Sequence, residues 1–196
     1  MVIGRIRAAL RRPPPAGLVL LYHRVAPCAS DPQLLAVAPE RFDAQLARLN
    51  RIADVMPLRD LVDRAQRGRL PRRAIAITFD DGYVDNLLHA KPILGRHRLH
   101  ATVFACSVIC DEQQEYWWDT LDRALLRHAG SANLELPLGT TSMRLLVDGD
   151  PLAHPRWSVL SAETPTSRHA AYRRLAGELK GLAPDARAAT LAALLQ

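Results

Sequence analysis

The stretch Ala74-Ile75-Ala76-Ile77-Thr78-Phe79-Asp80-Asp81-Gly82-Tyr83 joins an apolar run to two acidic residues and a glycine. Residues 74–79 have the length and continuous hydrophobicity of a strand buried on both faces, which is typical of parallel sheets covered by helices. Asp80 and Asp81 follow where this strand ends, and Gly82 allows the chain to turn. Because sites in α/β folds lie at the C-terminal ends of strands, the aspartate pair is the first candidate functional site.

Strand and helix patterns alternate on either side of this stretch. Residues 18–22 predict another strand buried on both faces, and residues 101–105 predict a third. Helices are predicted from Pro39, from about 58 to 66, from about 84 to 97 with a kink or break at Pro92, and from 116 to 128. This βαβα order predicts an α/β fold built on a parallel sheet or barrel.

The pattern changes after Gly130. Residues 134–136 and 143–147 predict a hairpin, and helices are predicted at 168–180 and from Pro184. We therefore divide the chain into a basic, proline-rich lead-in (1–17), an N-terminal α/β part (18–129) and a hairpin with helices (130–196). The last helical pattern is still periodic at Gln196, which predicts that the chain is a fragment.

Composition excludes several classes of protein. The 196 residues are 48% hydrophobic and 23% charged, as in soluble globular proteins. No apolar run reaches the roughly 18 residues of a transmembrane helix. The net charge of +6 is spread along the chain and is not interleaved with aromatic residues, which argues against nucleic-acid binding. An odd number of cysteines and no secretory leader predict a cytoplasmic location, and the oligomeric state stays open.

Two adjacent carboxylates at a strand end can divide a chemical task. One can hold a metal ion while the other meets water or substrate, but one aspartate could also cap the following helix. Similar pairs occur in magnesium-dependent phosphoryl-transfer proteins, so the pair alone does not name a reaction. A receiver-like domain would also need a lysine at a later strand end, and neither Lys91 nor Lys180 is suitably placed.

Residues 78–83 resemble the first motif of the polysaccharide deacetylase family (the NodB-homology domain, carbohydrate esterase family 4). Five further segments also resemble this family, in the same order and over roughly residues 18–126: Leu21-Tyr22-His23-Arg24-Val25, Pro39-Glu40-Arg41-Phe42, Lys91-Pro92-Ile93-Leu94, Ala101-Thr102-Val103-Phe104 and Tyr116-Trp117-Trp118-Asp119. The resemblance implies an α/β fold, an incomplete distorted (β/α) barrel of NodB type with a mostly helical C-terminal insertion.

The resemblance also implies roles for individual residues. Asp80 matches the general base of the family, and Asp81 matches a ligand of a divalent metal, most often zinc. His23, at the end of the first strand, is a candidate substrate-binding residue. The implied reaction removes N-acetyl groups from an amino-sugar polysaccharide or oligosaccharide, with a metal-activated water as nucleophile.

Other family motifs are missing from the sequence. The second motif, a histidine pair with Ser or Thr after the first histidine, is absent, and His97 and His100 have the wrong spacing. The arginine-proline-tyrosine motif and the late histidine acid are also absent. Because zinc takes about three or four protein ligands, we expect this fragment alone to be inactive. The alternative is a catalytically inactive NodB-like scaffold that binds glycans or partner proteins.

Overall fold

The computed structural model describes residues 16–107, 115–127 and 130–196. Their contacts form two compact units. The first, here called the sheet unit, contains the described residues up to Pro27 together with Ala36–Cys106. The second, the hairpin unit, contains Cys28–Leu35 and the described part of Ser107–Gln196. The sequence-based division at residues 129 and 130 stays a prediction.

The sheet unit alternates strands and helices as the sequence predicts. Its elements are β1 (Leu18–Tyr22), β2 (Arg24–Val25), β3 (Ala36–Val37), α1 (Pro39–Ile52), β4 (Asp54–Val55), α2 (Leu58–Gln66), β5 (Ala74–Phe79), a π-helical turn (Asn86–Ala90), α3 (Lys91–His97) and β6 (Thr102–Val103). Pro92 lies in the first turn of α3, directly after the π-helical turn. The predicted irregularity at this proline is therefore present, as expected for a residue without an N–H donor.

Strand β5 is the centre of a parallel sheet. Strand β1 pairs along one edge of β5, with Leu18–Tyr22 opposite Ile75–Phe79. Strands β4 and β6 both pair with the other edge, β4 at the start of β5 and β6 at its end. The predicted α/β class is confirmed. The described residues form no closed barrel, so the barrel stays a prediction.

The two strands predicted to be buried differ in their exposure. Strand β5 is almost wholly buried, as expected. The prediction for β1 is wrong, because Leu18, Val19 and Leu21 are each about half exposed. Their apolar sequence suits a central strand, but no described strand pairs with the outer edge of β1. Hydrophobicity predicted the strand correctly and its position in the sheet incorrectly.

An aromatic cluster fixes the C-terminal ends of β1 and β5. The ring of Tyr22 lies 5.1 Å from that of Phe42 on α1 and 5.5 Å from that of Phe79, measured between centroids. Phe42 and Phe79 are fully buried. Edge-to-face and stacked contacts of this kind add to the burial of the rings. Because Tyr22 precedes His23 and Phe79 precedes Asp80, the cluster positions the residues of the candidate site.

The hairpin unit confirms the elements predicted after Gly130. It contains α4 (Trp117–Leu126), β7 (Ala132–Leu138), β8 (Thr141–Val147), α5 (Ser167–Gly181) and α6 (Pro184–Leu194). One face of the antiparallel β7–β8 hairpin packs with α4 and α5 in a single apolar core, through Leu136, Met143, Leu145 and Val147. No helix in the described parts of either unit is long and apolar enough to cross a membrane.

Candidate functional site

The turn after β5 holds Asp80 by its backbone. The Asp80 N–H donates to the carbonyl oxygen of Tyr22 at 3.0 Å, which continues the pairing of β1 with β5. The Gly82 N–H donates back to the Asp80 carbonyl oxygen at 2.9 Å. Asp80 therefore lies at the C-terminal edge of the sheet, where the sequence places it.

Two successive residues in this turn have left-handed backbone conformations. Asp81 has φ = 70° and Gly82 has φ = 71°. Such a conformation strains most residues by about 1–3 kcal/mol, although aspartate adopts it more readily than most. A Cβ on Gly82 would lie 3.0 Å from the Cβ of Ala105, a tight contact that further favours glycine at this position. The sequence predicted the glycine turn but not the left-handed Asp81.

His23 and Asp81 meet at the ends of β1 and β5. Nδ1 of His23 lies 3.4 Å from Oδ2 of Asp81. This distance is longer than an ordinary hydrogen bond, so we describe an electrostatic contact. It follows from the register, because Tyr22 is opposite Phe79 and both chains leave the sheet at the same edge. Two of the residues predicted for the site are thus brought together.

The two carboxylates have different surroundings. Burial raises the pKa of the Asp81 carboxyl above its ordinary value, because a buried charge is poorly solvated. His23 opposes this rise, and the neighbouring charge of Asp80 adds to it. The carboxylate of Asp80 is half-buried and has no hydrogen-bond partner among the described residues. The Asp81 carboxylate is thus in contact with His23. The Asp80 carboxylate remains available to accept a hydrogen bond or a proton.

Asp85, which directly precedes the π-helical turn Asn86–Ala90, does not cap that turn with its side chain. Asp85 and Asn86, at the start of that turn, are instead buried and bonded back to the segment that carries His23. Sequence patterns did not indicate these two residues as part of the site. The sequence feature that could have indicated them is an acidic residue followed by an amide residue within the expected helix, about one turn after Gly82.

The described residues supply only part of a metal site. Asp80, Asp81 and His23 carry donor atoms of the types that divalent metals bind. However, no group of three or more His, Cys, Asp or Glu residues in the described ranges is arranged to hold an ion. Zinc sites in proteins have about three or four protein ligands. The residues present therefore do not fit a complete site, and the zinc assignment stays a prediction.

An apolar cavity opens beside the same turn. It measures about 700 Å³, and its lining includes Phe79, Tyr83, Leu87, Leu94 and Val103. Sugars are bound mainly through their hydroxyl groups, which need polar partners. We therefore do not assign this cavity to a polysaccharide chain.

Comparison with known proteins indicates one class. The family model for polysaccharide deacetylases matches residues 67–143, which include both aspartates. Over 88 residues the chain is 31% identical to "Putative polysaccharide deacetylase YxkH" of Bacillus subtilis (strain 168). This match covers 44% of this chain and 30% of that protein. These matches confirm the resemblance to polysaccharide deacetylases, and the family model covers the stretch that carries the two aspartates.

Solved structures of deacetylases are also similar to this chain. IcaB from Ammonifex degensii is 26% identical, with a TM-score of 0.45, over 54% of this chain and 47% of IcaB. The Streptococcus pyogenes deacetylase PplD, in complex with acetate, is 20% identical, with a TM-score of 0.43, over 53% of this chain and 50% of PplD. The chain thus spans about half of each of these structures and under a third of the curated relative.

Proposed function

We propose that this chain is part of a polysaccharide deacetylase, a hydrolase that removes N-acetyl groups from an amino-sugar polysaccharide or oligosaccharide. The reaction would use water and release acetate and a free amine. The observation that supports it best is the Asp80–Asp81 turn at the end of β5, with His23 against Asp81. This turn lies inside the stretch that matches the family model.

Asp80 is the general base in this proposal. Its backbone is fixed by hydrogen bonds to Tyr22 and Gly82, while its carboxylate has no hydrogen-bond partner among the described residues. A carboxylate held in place but still available can accept the proton of an attacking water. Asp81 is the ligand that this chain would contribute to a divalent metal, with zinc as the first candidate. His23 would contact Asp81 and the substrate.

The remaining catalytic requirements exceed what the described residues provide. Amide hydrolysis needs a base for the water, stabilisation of the developing oxyanion and an acid for the leaving amine. The turn after β5 supplies the first of these. We propose that the other metal ligands and the acid belong to residues outside the described ranges.

Acetate release from N-acetylglucosamine oligomers tests this function in the protein that carries this chain. Asp80→Asn should lower the turnover rate about 100-fold or more, because the amide cannot act as the base. The matched control is Asp43→Asn, which changes a partly exposed aspartate paired with Arg96 in the same unit. Undiminished release by Asp80→Asn would refute the assignment of the base.

A catalytically inactive scaffold is the second candidate function. It is favoured by the lack of any group of three potential metal ligands in the described part of the chain. Such a scaffold would bind N-acetylglucosamine oligomers without releasing acetate. Calorimetric binding combined with the acetate assay on the same sample separates the two functions.

A further inference from the structure

We propose that Asp85 and Asn86 are positioning residues that fix His23 against Asp81. This inference rests on the proposed function, because His23 and Asp81 belong to its site. The two residues begin the π-helical turn after β5, yet their side chains bond to the three residues that follow β1. They therefore connect the strand end that carries His23 to the segment that follows Asp81.

The Asp85 carboxylate accepts hydrogen bonds from the two residues that follow His23. Asp85 is buried, with 5% of its surface exposed. Oδ1 accepts the backbone N–H of Val25 at 3.0 Å, and Oδ2 accepts Nε–H of Arg24 at 2.9 Å. A buried carboxylate is costly unless it is paired and hydrogen-bonded, and here both oxygens have donors.

Arg24 extends this connection to the turn itself. Its guanidinium carbon lies 4.4 Å from the centre of the Tyr83 ring, in a cation–π contact. Tyr83 directly follows Gly82, the second left-handed residue of the turn. The guanidinium group of Arg24 therefore contacts both Asp85 and Tyr83. These two contacts hold the residue that directly follows His23.

Asn86 holds the backbone of His23 directly. Its Nδ2 donates to the His23 carbonyl oxygen at 2.8 Å and to Asp85 Oδ1 at 3.1 Å. A flipped amide would place Oδ1 against these two acceptors, so the hydrogen-bond partners determine its orientation. In that orientation Oδ1 is buried without a hydrogen-bond partner among the described residues.

The surroundings of Asn86 use its two donors and leave its acceptor without a partner among the described residues. Leaving a buried carbonyl unsatisfied destabilises a fold. An apolar side chain of similar size would remove that group but would leave the His23 carbonyl oxygen and Asp85 Oδ1 without the Asn86 donors. Asn86 therefore keeps an unfavourable group in order to present two donors. Residues that break a local packing rule in this way are expected at functional sites.

The test compares Asn86→Leu with the control Asp43→Asn in the acetate assay. Asn86→Leu removes the unsatisfied acceptor but also leaves the His23 carbonyl oxygen and Asp85 Oδ1 without the Asn86 donors. We therefore expect its urea-unfolding midpoint to fall while unfolding stays cooperative. We expect acetate release to fall about 10- to 100-fold, the loss typical of residues that orient the side chains of a site without contacting the substrate. Asp85→Asn is the second variant, since it keeps the side-chain volume and one acceptor.

A double substitution asks whether Asn86 acts through His23. If it does, Asn86→Leu adds no further loss of activity to His23→Ala, because the group that it positions is already gone. An equal loss in both backgrounds would overturn the proposal. If both Asn86→Leu and Asp85→Asn fail to unfold cooperatively, the pair is structural and the proposal is wrong.

A readout without turnover separates this proposal from the proposed function. The ring ¹⁵N resonances of His23, assigned with a His23→Gln variant, should move in Asn86→Leu towards those of the exposed His89. They should not move in Asp43→Asn. If the unsubstituted protein releases no acetate, the proposed function fails, while the resonances still decide the positioning role. Unchanged His23 resonances in Asn86→Leu would refute it.

Discussion

Nδ1 of His23 lies 3.4 Å from Oδ2 of Asp81, and the two residues come from different strands. His23 follows β1, which pairs along one edge only in the described sheet, whereas Asp81 follows the central strand β5. The contact opposes the effect of burial, which raises the pKa of Asp81. The ionisation of Asp81 therefore depends on the strand pairing as well as on its own surroundings.

Removal of the His23 ring should raise the pKa of Asp81 further. The ring lowers this pKa, so His23→Ala leaves burial and the neighbouring Asp80 as the larger influences. The carboxyl ¹³C resonance of Asp81, followed over pH, measures the change. His89→Ala, at an exposed histidine of the same unit, should leave it unaltered. A fall in the pKa of Asp81 would contradict the prediction.

Gly82→Ala should destabilise the sheet unit more than Gly68→Ala. Both glycines have similar left-handed φ angles, 71° and 64°, so both variants incur about 1–2 kcal/mol of backbone strain. Only at Gly82 would the new Cβ collide, because it would lie 3.0 Å from the Cβ of Ala105. Overpacking adds about 1–3 kcal/mol. Urea unfolding followed through the amide resonances of β5 measures both variants, and equal losses would exclude the close contact.

Substitutions of Asp81 should separate backbone strain from chemistry. Asparagine tolerates the left-handed conformation, so Asp81→Asn should change the free energy of unfolding by under about 1 kcal/mol. Asp81→Val should cost about 1–2 kcal/mol more, because a branched side chain is poorly tolerated at φ = 70°. Both variants should lose divalent-metal binding in the protein that carries this chain. Full metal binding by Asp81→Asn would remove Asp81 from the ligands.

The hairpin unit should lose stability below neutral pH through His169. This residue is buried, its Nδ1 lies 2.8 Å from Oγ1 of Thr166, and its ring faces His154 and Trp157. Burial, together with the nearby His154 and Arg168, lowers the pKa of His169. The unfolded chain therefore takes up the proton more readily than the folded one.

Protonation of His169 favours the unfolded chain, so acid destabilises the hairpin unit. The stability contribution is complete above the unfolded pKa of about 6.5 and falls as the pH drops towards the lower folded value. Tryptophan fluorescence during urea unfolding measures it, since all three tryptophans belong to the hairpin unit. His169→Gln should flatten the pH dependence, and His89→Gln should not. An unchanged pH dependence in His169→Gln would assign the effect to other groups.

Local sequence patterns predicted much of this chain. The apolar run of β5, its terminal aspartates and the β7–β8 hairpin depend on nearby residues, and the structure contains all of them. The exposure of β1 was mispredicted because it depends on which strands lie beside it. Asp85 and Asn86 were missed because their partners at His23–Val25 are distant in sequence.

The site itself was predictable only in part. A parallel sheet was expected, but the order of its strands was not. The pairing of β1 with β5 brings His23 to Asp81. Neither the left-handed backbone of Asp81 nor the close approach of Gly82 to Ala105 is encoded by a local pattern. Whether three or more ligands converge on one ion depends on the whole fold, and residue types alone do not determine it.

The different pairing of β1 and β5 has a consequence for amide hydrogen exchange. In the described sheet β5 is bonded along both edges and β1 along one, so the amides of β5 should exchange last and those of β1 earlier. A partial opening that releases β1 would carry His23 away while Asp80 and Asp81 stay on a protected strand. The site would then lose its histidine repeatedly, on the timescale of local opening, in molecules that remain otherwise folded.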